Sequence, residues 1–515
     1  MSGTLTSRIA GTFEASRLLL EPGGDRTLPL RQALDALHRQ ILTPMSVAVV
    51  GRISSGKSTL VNALIGEERV ATGSQELTFN VNRLRHGDRP GLLVHYKDGR
   101  PPAAYELGEL ERLTARREEH LDELRGIAEI EVETSAPYLE LFDLIDTPGL
   151  DSVYVEDSLN TLEFLQLTAE EVLATTVRHS AGADALILVV PNRGMSAVDT
   201  GVLADFLGAG FESATPLTVL GVMTKVELLW GPDGTPPMEI ARGLAARTML
   251  EVPKMRSLLY ELTPVCSLVG QAAETLDDAE FAELRALSGL ALLPVLLSNA
   301  RRFVDDPVSG LPRDRLVRLW DRYNAYGLHL ACGLLRDGVD SPADLRARLL
   351  DASGMNELRH RLVEHFGHRA ELLKLDSALK RVASMPHDLA AGLGTRDRAA
   401  LDQVLGLFSS LALNERGLVH LGILRDLYSG GLGTHFGHEE LAEIRRILGE
   451  SGRSPAELLG ATGAEDRAAL RRLAAERQRA WAVRWQDGTL WGPAREAAHV
   501  VLRAYEYLMH ELREP

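Results

Sequence analysis

The residues from Gly51 to Ser58 have the types and spacing of a phosphate-binding loop. Their sequence, GRISSGKS, fits the pattern G-x-x-x-x-G-K-[ST] without departure. The apolar run 46–50 before the loop predicts a buried strand, and the run 58–65 after it predicts a helix. Such a junction directs backbone N–H groups toward a phosphate. Nucleotide contacts are therefore predicted for Gly51, Ser54, Ser55, Gly56, Lys57, Ser58 and Thr59.

Two side chains of this loop have specific expected roles. Lys57 is predicted to reach the β- and γ-phosphate oxygens of a nucleoside triphosphate, because an ammonium group neutralises their charge. The Ser58 hydroxyl is predicted to hold Mg²⁺. The loop therefore indicates a Mg²⁺-dependent nucleotide site.

A second motif follows the strand-like run 138–145, which ends in the sequence DTPG. Asp146 would stand at the tip of a strand beside the loop, where a second metal ligand is required. Gly149 would let the backbone donate an N–H to the γ-phosphate. The same four residues also favour a simple turn. The matching phosphate loop upstream favours the nucleotide interpretation, and together the motifs predict a GTPase site.

A threonine between the two motifs is expected to reach the metal from a third segment. Thr78 is the preferred candidate, since it precedes a strand-like run at 81–86, and Thr72 is the alternative. The predicted metal ligands are thus Ser58, Thr78 and Asp146. With Lys57, they are the predicted catalytic residues.

The base-recognition motif is predicted at Thr224, Lys225 and Glu227, where an apolar run ends in TKVE. Guanine is usually recognised by [NT]-K-x-D, whose carboxylate accepts hydrogen bonds from the base while the lysine covers the ring. Glutamate instead of aspartate displaces the acceptor pair by about one C–C bond, and bidentate hydrogen bonds tolerate such shifts poorly. A later loop predicts further base contacts at Cys266 and Ser267.

The run SSGKSTLVNALIG at 54–66 resembles the start of bacterial dynamin-like GTPases more than that of Ras-like ones. The similarity continues past this region, and it is most specific to the actinobacterial isoniazid-inducible dynamin-like proteins. It extends over nearly the whole chain, strongly in the nucleotide-binding region and loosely in the helices. The further similar segments are 306–307, 324–327, 338–341, 353–354 and 440–449.

This resemblance implies a membrane-remodelling GTPase that binds GTP and Mg²⁺. Its fold would be an α/β P-loop GTPase domain, with a mostly parallel sheet and helices on both faces, on an all-α neck and trunk bundle. The resemblance also implies a second dynamin-like protein as partner, head-to-head pairing of GTPase domains, and septum-associated work. The expected location is cytoplasmic, peripheral at the inner face of the cell membrane.

Two departures from the family pattern leave an alternative open. Dynamins place a glutamine before the serine of the phosphate loop, where it helps hold the attacking water, and this chain has Ile53 there. Together with Glu227, Ile53 favours slow turnover, or a weakly hydrolysing scaffold that is the regulatory half of a heteromeric pair. A P-loop ATPase is a third possibility, but an acid after Thr224 and Lys225 argues against it.

Composition agrees with a globular protein of two or three cores, at 515 residues, 45% hydrophobic and 25% charged. The net charge of −16 argues against a nucleic-acid partner, which would require an excess of Lys and Arg. Cys266 and Cys332 predict buried free thiols in a reducing compartment. The N-terminus has no signal-peptide pattern, and the most apolar later run, 287–297, is too short to span a bilayer. A soluble or peripheral protein is expected.

The order of patterns predicts three parts. Residues 1–45 hold helices that fold back on the C-terminal bundle, 46–275 form the GTPase domain, and 276–515 form the helical neck and trunk. Serine-proline helix starts are predicted at Ser341 and Ser454.

Two segments of the helical part have features of membrane contact. A glycine-rich loop at 428–437 contains Leu432 and Phe436, and an arginine-rich helix contains Trp481 and Trp485, with Trp491 beyond it. Tryptophans four residues apart more often pack within a bundle, and glycine-rich segments are more often ordinary loops. Packing is therefore the favoured prediction for the tryptophans, and an ordinary loop is the favoured prediction for the glycine-rich segment.

Overall fold

The structure is a computed structural model of the 515-residue chain. It describes residues 2–51, 55–66, 81–114, 121–146, 183–193, 215–231, 234–305, 310–428, 430–450, 452, 454–461 and 466–513.

Nine strands within these ranges form one sheet, in the order β4-β3-β5-β2-β6-β1-β7-β8-β9. Their bounds are β1 Met45–Gly51, β2 Val81–His86, β3 Gly91–Tyr96, β4 Ala103–Tyr105, β5 Ile127–Thr134, β6 Phe142–Asp146, β7 Ala185–Pro191, β8 Val219–Thr224 and β9 Leu262–Pro264.

The centre of the sheet is parallel, since β1 pairs with β7, β7 with β8, and β8 with β9 in that sense. β2 pairs in parallel with β5, whereas β2–β6, β3–β5 and β3–β4 are antiparallel. Every residue of β1 and β8 is buried, which explains their unbroken apolar sequences. The predicted α/β class with a mostly parallel sheet is confirmed.

The C-terminal region of the described chain is largely helical, as the predicted fold class requires. In chain order they are α1 Ser2–Leu20, α2 Leu28–Leu42, α3 Lys57–Ile65, α4 Leu110–Thr114, α5 Leu121–Gly126, α6 Pro237–Glu251, α7 Pro253–Leu258, α8 Ser267–Glu274, α9 Asp278–Ser288, α10 Leu293–Leu296, α11 Ala300–Val304, α12 Arg313–Arg336, α13 Pro342–Ser353, α14 Met355–His365, α15 Ala370–Asp388, α16 Thr395–Asn414, α17 Arg416–Tyr428, α18 His438–Ile447, α19 Pro455–Leu459, α20 Arg467–Gln486 and α21 Gly492–Glu511.

Two helix starts have the predicted caps. The Ser341 hydroxyl accepts a hydrogen bond from the Asp344 N–H at 3.2 Å, and the Ser454 hydroxyl accepts one from the Glu457 N–H at 3.3 Å. Each satisfies a backbone donor that the first helical turn leaves free. One predicted strand is shorter than expected: residues Pro137–Glu140 form a turn of 3₁₀-helix, and the strand begins only at Phe142.

The chain divides into two compact units, which are Ser46–Ala214 with Thr218–Val363, and Met1–Met45 with Thr215–Leu217 and Glu364–Pro515. The first unit contains most of the sheet and the helices from α3 to α13. This compact unit extends well past residue 275. The end of the GTPase domain expected at residue 275 stays a prediction. None of the described helices is both long and apolar enough to cross a membrane.

The second unit combines the N-terminal helices with C-terminal ones. Phe13 of α1 meets Phe408 of α16 edge to face, with 4.9 Å between ring centroids. The Lys374 ammonium of α15 donates to the backbone carbonyl of Ile41 at the end of α2, at 2.9 Å. These contacts join residues more than 300 positions apart, and they make α1 and α2 part of this helical unit.

The residues considered for membrane insertion are mostly buried in this second unit. Leu432 is 0% and Phe436 is 5% exposed, and Phe436 packs against Trp481 with ring centroids 5.9 Å apart. Trp485 stacks on His499. The packing prediction is therefore confirmed for Trp481 and Trp485, and the burial of Leu432 and Phe436 gives the glycine-rich loop a packing role that was not predicted.

Candidate functional site

Three of the predicted site residues each end a strand of the sheet. Gly51 ends β1, Asp146 ends β6 and Thr224 ends β8, and these strands lie within four neighbouring positions of the sheet. Ligands of open α/β sheets bind at this carboxyl edge, because loops and helix N-termini converge there. The structure thus brings three separate motifs, far apart in sequence, to one place.

The phosphate loop has a backbone that requires its two glycines. A Cβ atom at Gly51 would lie 2.7 Å from the Val189 carbonyl oxygen, and Gly56 has a left-handed backbone with φ of 91°. Lys57 begins α3 immediately afterwards, and its ammonium donates to the Gly51 carbonyl at 3.1 Å. The lysine side chain therefore folds back over the loop, where a phosphate cradled by the loop would meet it.

The surroundings of the loop suit an anionic ligand. Helix α3 begins at Lys57, directly after the loop, and the N-terminus of a helix favours a negatively charged group. Ser55 is 2% exposed, and its buried hydroxyl has no hydrogen-bond partner within the described ranges. Ser58 and Thr59 follow in the same turn. The loop and its hydrogen-bond donors fit a phosphate group. Ser54 lies outside the described residues.

Two of the three predicted metal ligands are described. Ser58 is the second residue of α3, and α3 packs against β6, whose last residue is Asp146. Asp146 is 0% exposed. A hydroxyl and a carboxylate are hard oxygen donors of the kind that Mg²⁺ prefers, so these residues fit that metal. Thr78, its alternative Thr72, and Gly149 lie outside the described residues.

The base loop is joined to the phosphate loop by a hydrogen bond. The Thr224 hydroxyl donates to the Ser55 backbone carbonyl. Lys225, which follows, has a left-handed backbone with φ of 57°, uncommon for a residue with a side chain. This conformation turns the chain sharply before the 3₁₀-helix Val226–Leu229. Lys225 and Glu227 therefore follow closely on the residue that bonds the phosphate loop.

Glu227 is buried and has an acceptor oxygen that could bind a ligand. It is 9% exposed, and its Oε2 is buried without a hydrogen-bond partner in the part of the chain that is described. Burial raises the pKa of this carboxyl, and a hydrogen bond from its own backbone N–H, together with the nearby Lys225 ammonium, only partly offsets the rise. Such an acceptor is costly to leave without a donor. Paired N–H donors of a base edge would satisfy it.

The raised pKa of Glu227 predicts a stability effect in the nucleotide-free protein. The folded state binds this proton more tightly than the unfolded state, so the favourable contribution is complete below the ordinary value of 4.5 and is lost as pH rises through the raised pKa. Glu227→Gln removes the titration. We expect the melting temperature of the variant to match that of the wild type near pH 4 and to exceed it near pH 8. A constant difference across that range would contradict the prediction.

Cys266 and Ser267 lie next to the base loop but are turned inward. The Cys266 N–H donates to the Ser353 carbonyl at 2.9 Å, and its thiol lies 3.9 Å from the Met238 sulfur. Burial, together with the Glu227 carboxylate, raises the pKa of this thiol well above its usual value. Ser267 is 3% exposed at the start of α8. A base contact by either residue stays a prediction.

One buried polar residue at this edge was not predicted from the sequence. Asn82 is 0% exposed on β2, directly opposite Asp146 in the antiparallel pair. The available signal was an amide at a strand position that shares its face with the buried Leu84.

Comparison with known proteins gives a consistent result over most of the chain. The Dynamin family model matches residues 47–214. The isoniazid-induced protein IniC of Mycobacterium tuberculosis is 30% identical over 456 residues, which are 86% of this chain and 86% of that protein. Dynamin-like protein 2 of Campylobacter jejuni is 29% identical over 153 residues, which cover 30% of this chain and 24% of that protein.

Among solved structures, one described as an oligomerised bacterial dynamin pair is similar over 94% of this chain and 87% of that one. Its sequence identity is 11% and its TM-score is 0.33.

Proposed function

The chain belongs to the dynamin family of GTPases, and from this premise we propose that it binds GTP with Mg²⁺, hydrolyses it to GDP and phosphate, and couples this cycle to membrane remodelling. The observation that supports the proposal most strongly is the convergence of Lys57, Asp146 and Thr224 on one edge of the sheet. Each comes from a different motif, and together the three motifs would bind the phosphates, the metal and the base.

The proposed chemistry is mainly positioning and charge neutralisation. A water attacks the γ-phosphorus, the bond from that phosphorus to the β–γ bridging oxygen breaks, and GDP leaves. Lys57 would balance the charge on the β- and γ-phosphate oxygens, and the N–H of Gly149 would contact the γ-phosphate. Ser58, Thr78 and Asp146 would hold Mg²⁺, which when bound neutralises phosphate charge.

Guanine recognition is assigned to the base loop. The free Oε2 of Glu227 would accept from the base, Lys225 would cover the ring, and Thr224 would fix the loop to the phosphate cradle. The longer glutamate side chain is compatible with this role because it is buried and its acceptor has no competing donor among the described residues. Cys266 and Ser267 would form the buried wall of the base pocket.

A second candidate function follows from Ile53. A side chain without donor or acceptor stands where dynamins have a glutamine that helps hold the attacking water. The chain would then bind nucleotide but hydrolyse it slowly, as the regulatory member of a pair with a second dynamin-like protein. Single-turnover hydrolysis as fast as that of an efficient dynamin, without any partner, would exclude this candidate.

Equilibrium titration with fluorescent GTP and ATP analogues in Mg²⁺ tests the primary proposal. Tight GTP binding with weak ATP binding is expected, followed by hydrolysis that lipid vesicles stimulate. Equal binding of both nucleotides would contradict guanine recognition and favour the scaffold function, and negligible binding of both would contradict the proposed nucleotide site itself.

We further propose a peripheral position at the inner face of the cell membrane, with pairing of two GTPase heads and a second dynamin-like partner. The described surface feature that supports membrane contact is Trp491, which is 67% exposed and touches only the edge of His435 among aromatic neighbours in the described part. A large aromatic ring exposed beside an arginine-rich helix suits the headgroup level of a bilayer.

Trp491→Ser should weaken binding to vesicles of mixed zwitterionic and anionic lipid by about tenfold, because burying a large apolar side chain contributes about 1.5–3 kcal/mol. Co-sedimentation measures the effect. Tyr507→Ser is the matched control, since Tyr507 is also exposed, at 44%, but its ring is covered by the guanidinium of Arg416. Equal sedimentation of wild type and the Trp491 variant would remove this residue from the proposed contact.

A further inference from the structure

Asn82 occupies a core position of β2. Residues alternate between the two faces of a strand, and the register pairs Asn82 with Asp146 and Leu84 with Leu144. These four side chains therefore share one face of the sheet. Leu84, Leu144 and Asn82 are all 0% exposed. An apolar residue would satisfy the pattern at 82, and an amide is present instead.

The carboxamide of Asn82 is unsatisfied. Neither its Nδ2 nor its Oδ1 has a hydrogen-bond partner in the described part of the chain, and both atoms are inaccessible to solvent. Buried polar groups are nearly always paired, because an unmade hydrogen bond in the interior is costly. The opposite face of β2 shows the usual solution: Arg83 and Arg85 there form ion pairs with Glu129, Glu131 and Asp143. The Asn82 carboxamide is therefore suited to bind a small polar molecule.

The position of Asp146 indicates which small molecule the carboxamide would bind. Side chains directly opposite in an antiparallel pair have Cβ atoms about 4.5–5.5 Å apart, and Asp146 is the partner of Asn82. No hydrogen bond joins the two, since both Asn82 atoms are without one. A donor and an acceptor this close to a carboxylate, but not bonded to it, fit one bridging water.

We propose that Asn82 is a positioning residue of the metal site: its carboxamide hydrogen-bonds a water of the Mg²⁺ shell and so fixes that water beside Asp146. This inference rests on the proposed function, because it requires Mg²⁺ to bind at Asp146. Outer-shell partners of metal ligands hold those ligands in their binding orientation, and their loss typically weakens metal affinity by about 10- to 100-fold. Asn82 acts through the water and does not contact the nucleotide.

The test measures how Mg²⁺ changes the binding of a fluorescent GDP analogue to the full chain. In Asn82→Leu and Asn82→Ala, affinity in EDTA should equal that of the wild type. The Mg²⁺ concentration that gives half of the metal-dependent gain in affinity should rise about 10- to 100-fold. The nucleotide-free Asn82→Leu protein should also melt a few degrees higher than the wild type, roughly 2–4 °C, because an unsatisfied amide has been removed.

Leu84→Ala is the matched control, since it alters the same face of the same strand. It should lower the melting temperature and leave the Mg²⁺ dependence unchanged. Unchanged Mg²⁺ dependence in both Asn82 variants, with normal dependence in the wild type, would overturn the role of Asn82 alone. If the nucleotide affinity of the wild-type protein did not depend on Mg²⁺, both this inference and the metal part of the proposed function would be overturned. If both Asn82 variants melted at lower temperatures and kept the normal Mg²⁺ dependence, the Asn82 amide would have a structural role only.

Discussion

Lys57→Ala should abolish triphosphate binding and leave the protein folded. The ammonium donates to the Gly51 carbonyl at 3.1 Å and the Lys57 residue is 7% exposed, so the side chain is already held over the loop that would bind the phosphates. Hydrogen bonds to charged groups contribute about 1.5–3 kcal/mol each, and two such bonds to the β- and γ-oxygens correspond to a loss of at least about 100-fold in affinity. Titration with a fluorescent GTP analogue measures this loss.

Lys380→Ala is the control for the loss of one positive charge. Lys380 lies on α15, where it pairs with Asp376 at 3.0 Å and its side chain is 42% exposed. Its removal should leave nucleotide affinity unchanged. Circular dichroism and melting curves should show all three proteins folded. If the Lys57 variant bound nucleotide as tightly as the wild type, the proposed GTPase site would lose its basis.

Glu227→Gln should remove the preference for guanine over adenine. The amide keeps the size of the side chain but replaces one acceptor by a donor, which would face the N–H donors of guanine. A bidentate pair to a base contributes about 1–3 kcal/mol of discrimination, so the ratio of GTP to ATP affinity should fall by about tenfold or more. Competition titrations of both nucleotides against one fluorescent analogue measure the ratio.

Glu227→Asp serves as the matched variant, because it keeps the carboxylate and restores the residue usual in this motif. It should retain the guanine preference. If Glu227→Gln kept the wild-type ratio while Lys57→Ala still lost binding, base recognition would have to come from other residues, and the nucleotide site itself would stand.

The phosphate loop and its flanking elements could be predicted from the sequence because each is determined locally. The expected helix start at Ser58 differs from the observed start at Lys57 by one residue, and the strand expected at 46–50 is Met45–Gly51. Strict glycine spacing and apolar runs specify this junction without help from the rest of the chain. The same holds for the caps at Ser341 and Ser454.

Features that depend on distant partners were not predictable in this way. The left-handed backbone of Lys225 has no local signal, since only the surrounding structure imposes it. The role of Asn82 depends on a strand register that pairs it with a residue 64 positions later. The burial of Leu432 and Phe436 likewise depends on helix packing that a glycine-rich loop sequence does not reveal.

The two edges of the sheet limit how one copy of the chain could join another. The edge strands β4 and β9 are three residues long, and β9 ends in Pro264, which has no N–H to donate. Short edges of this kind give an incoming strand few backbone groups to pair with, and so protect the sheet from uncontrolled growth. Strand addition at these edges is therefore disfavoured, so the pairing of GTPase heads proposed above would have to use other surfaces of the chain.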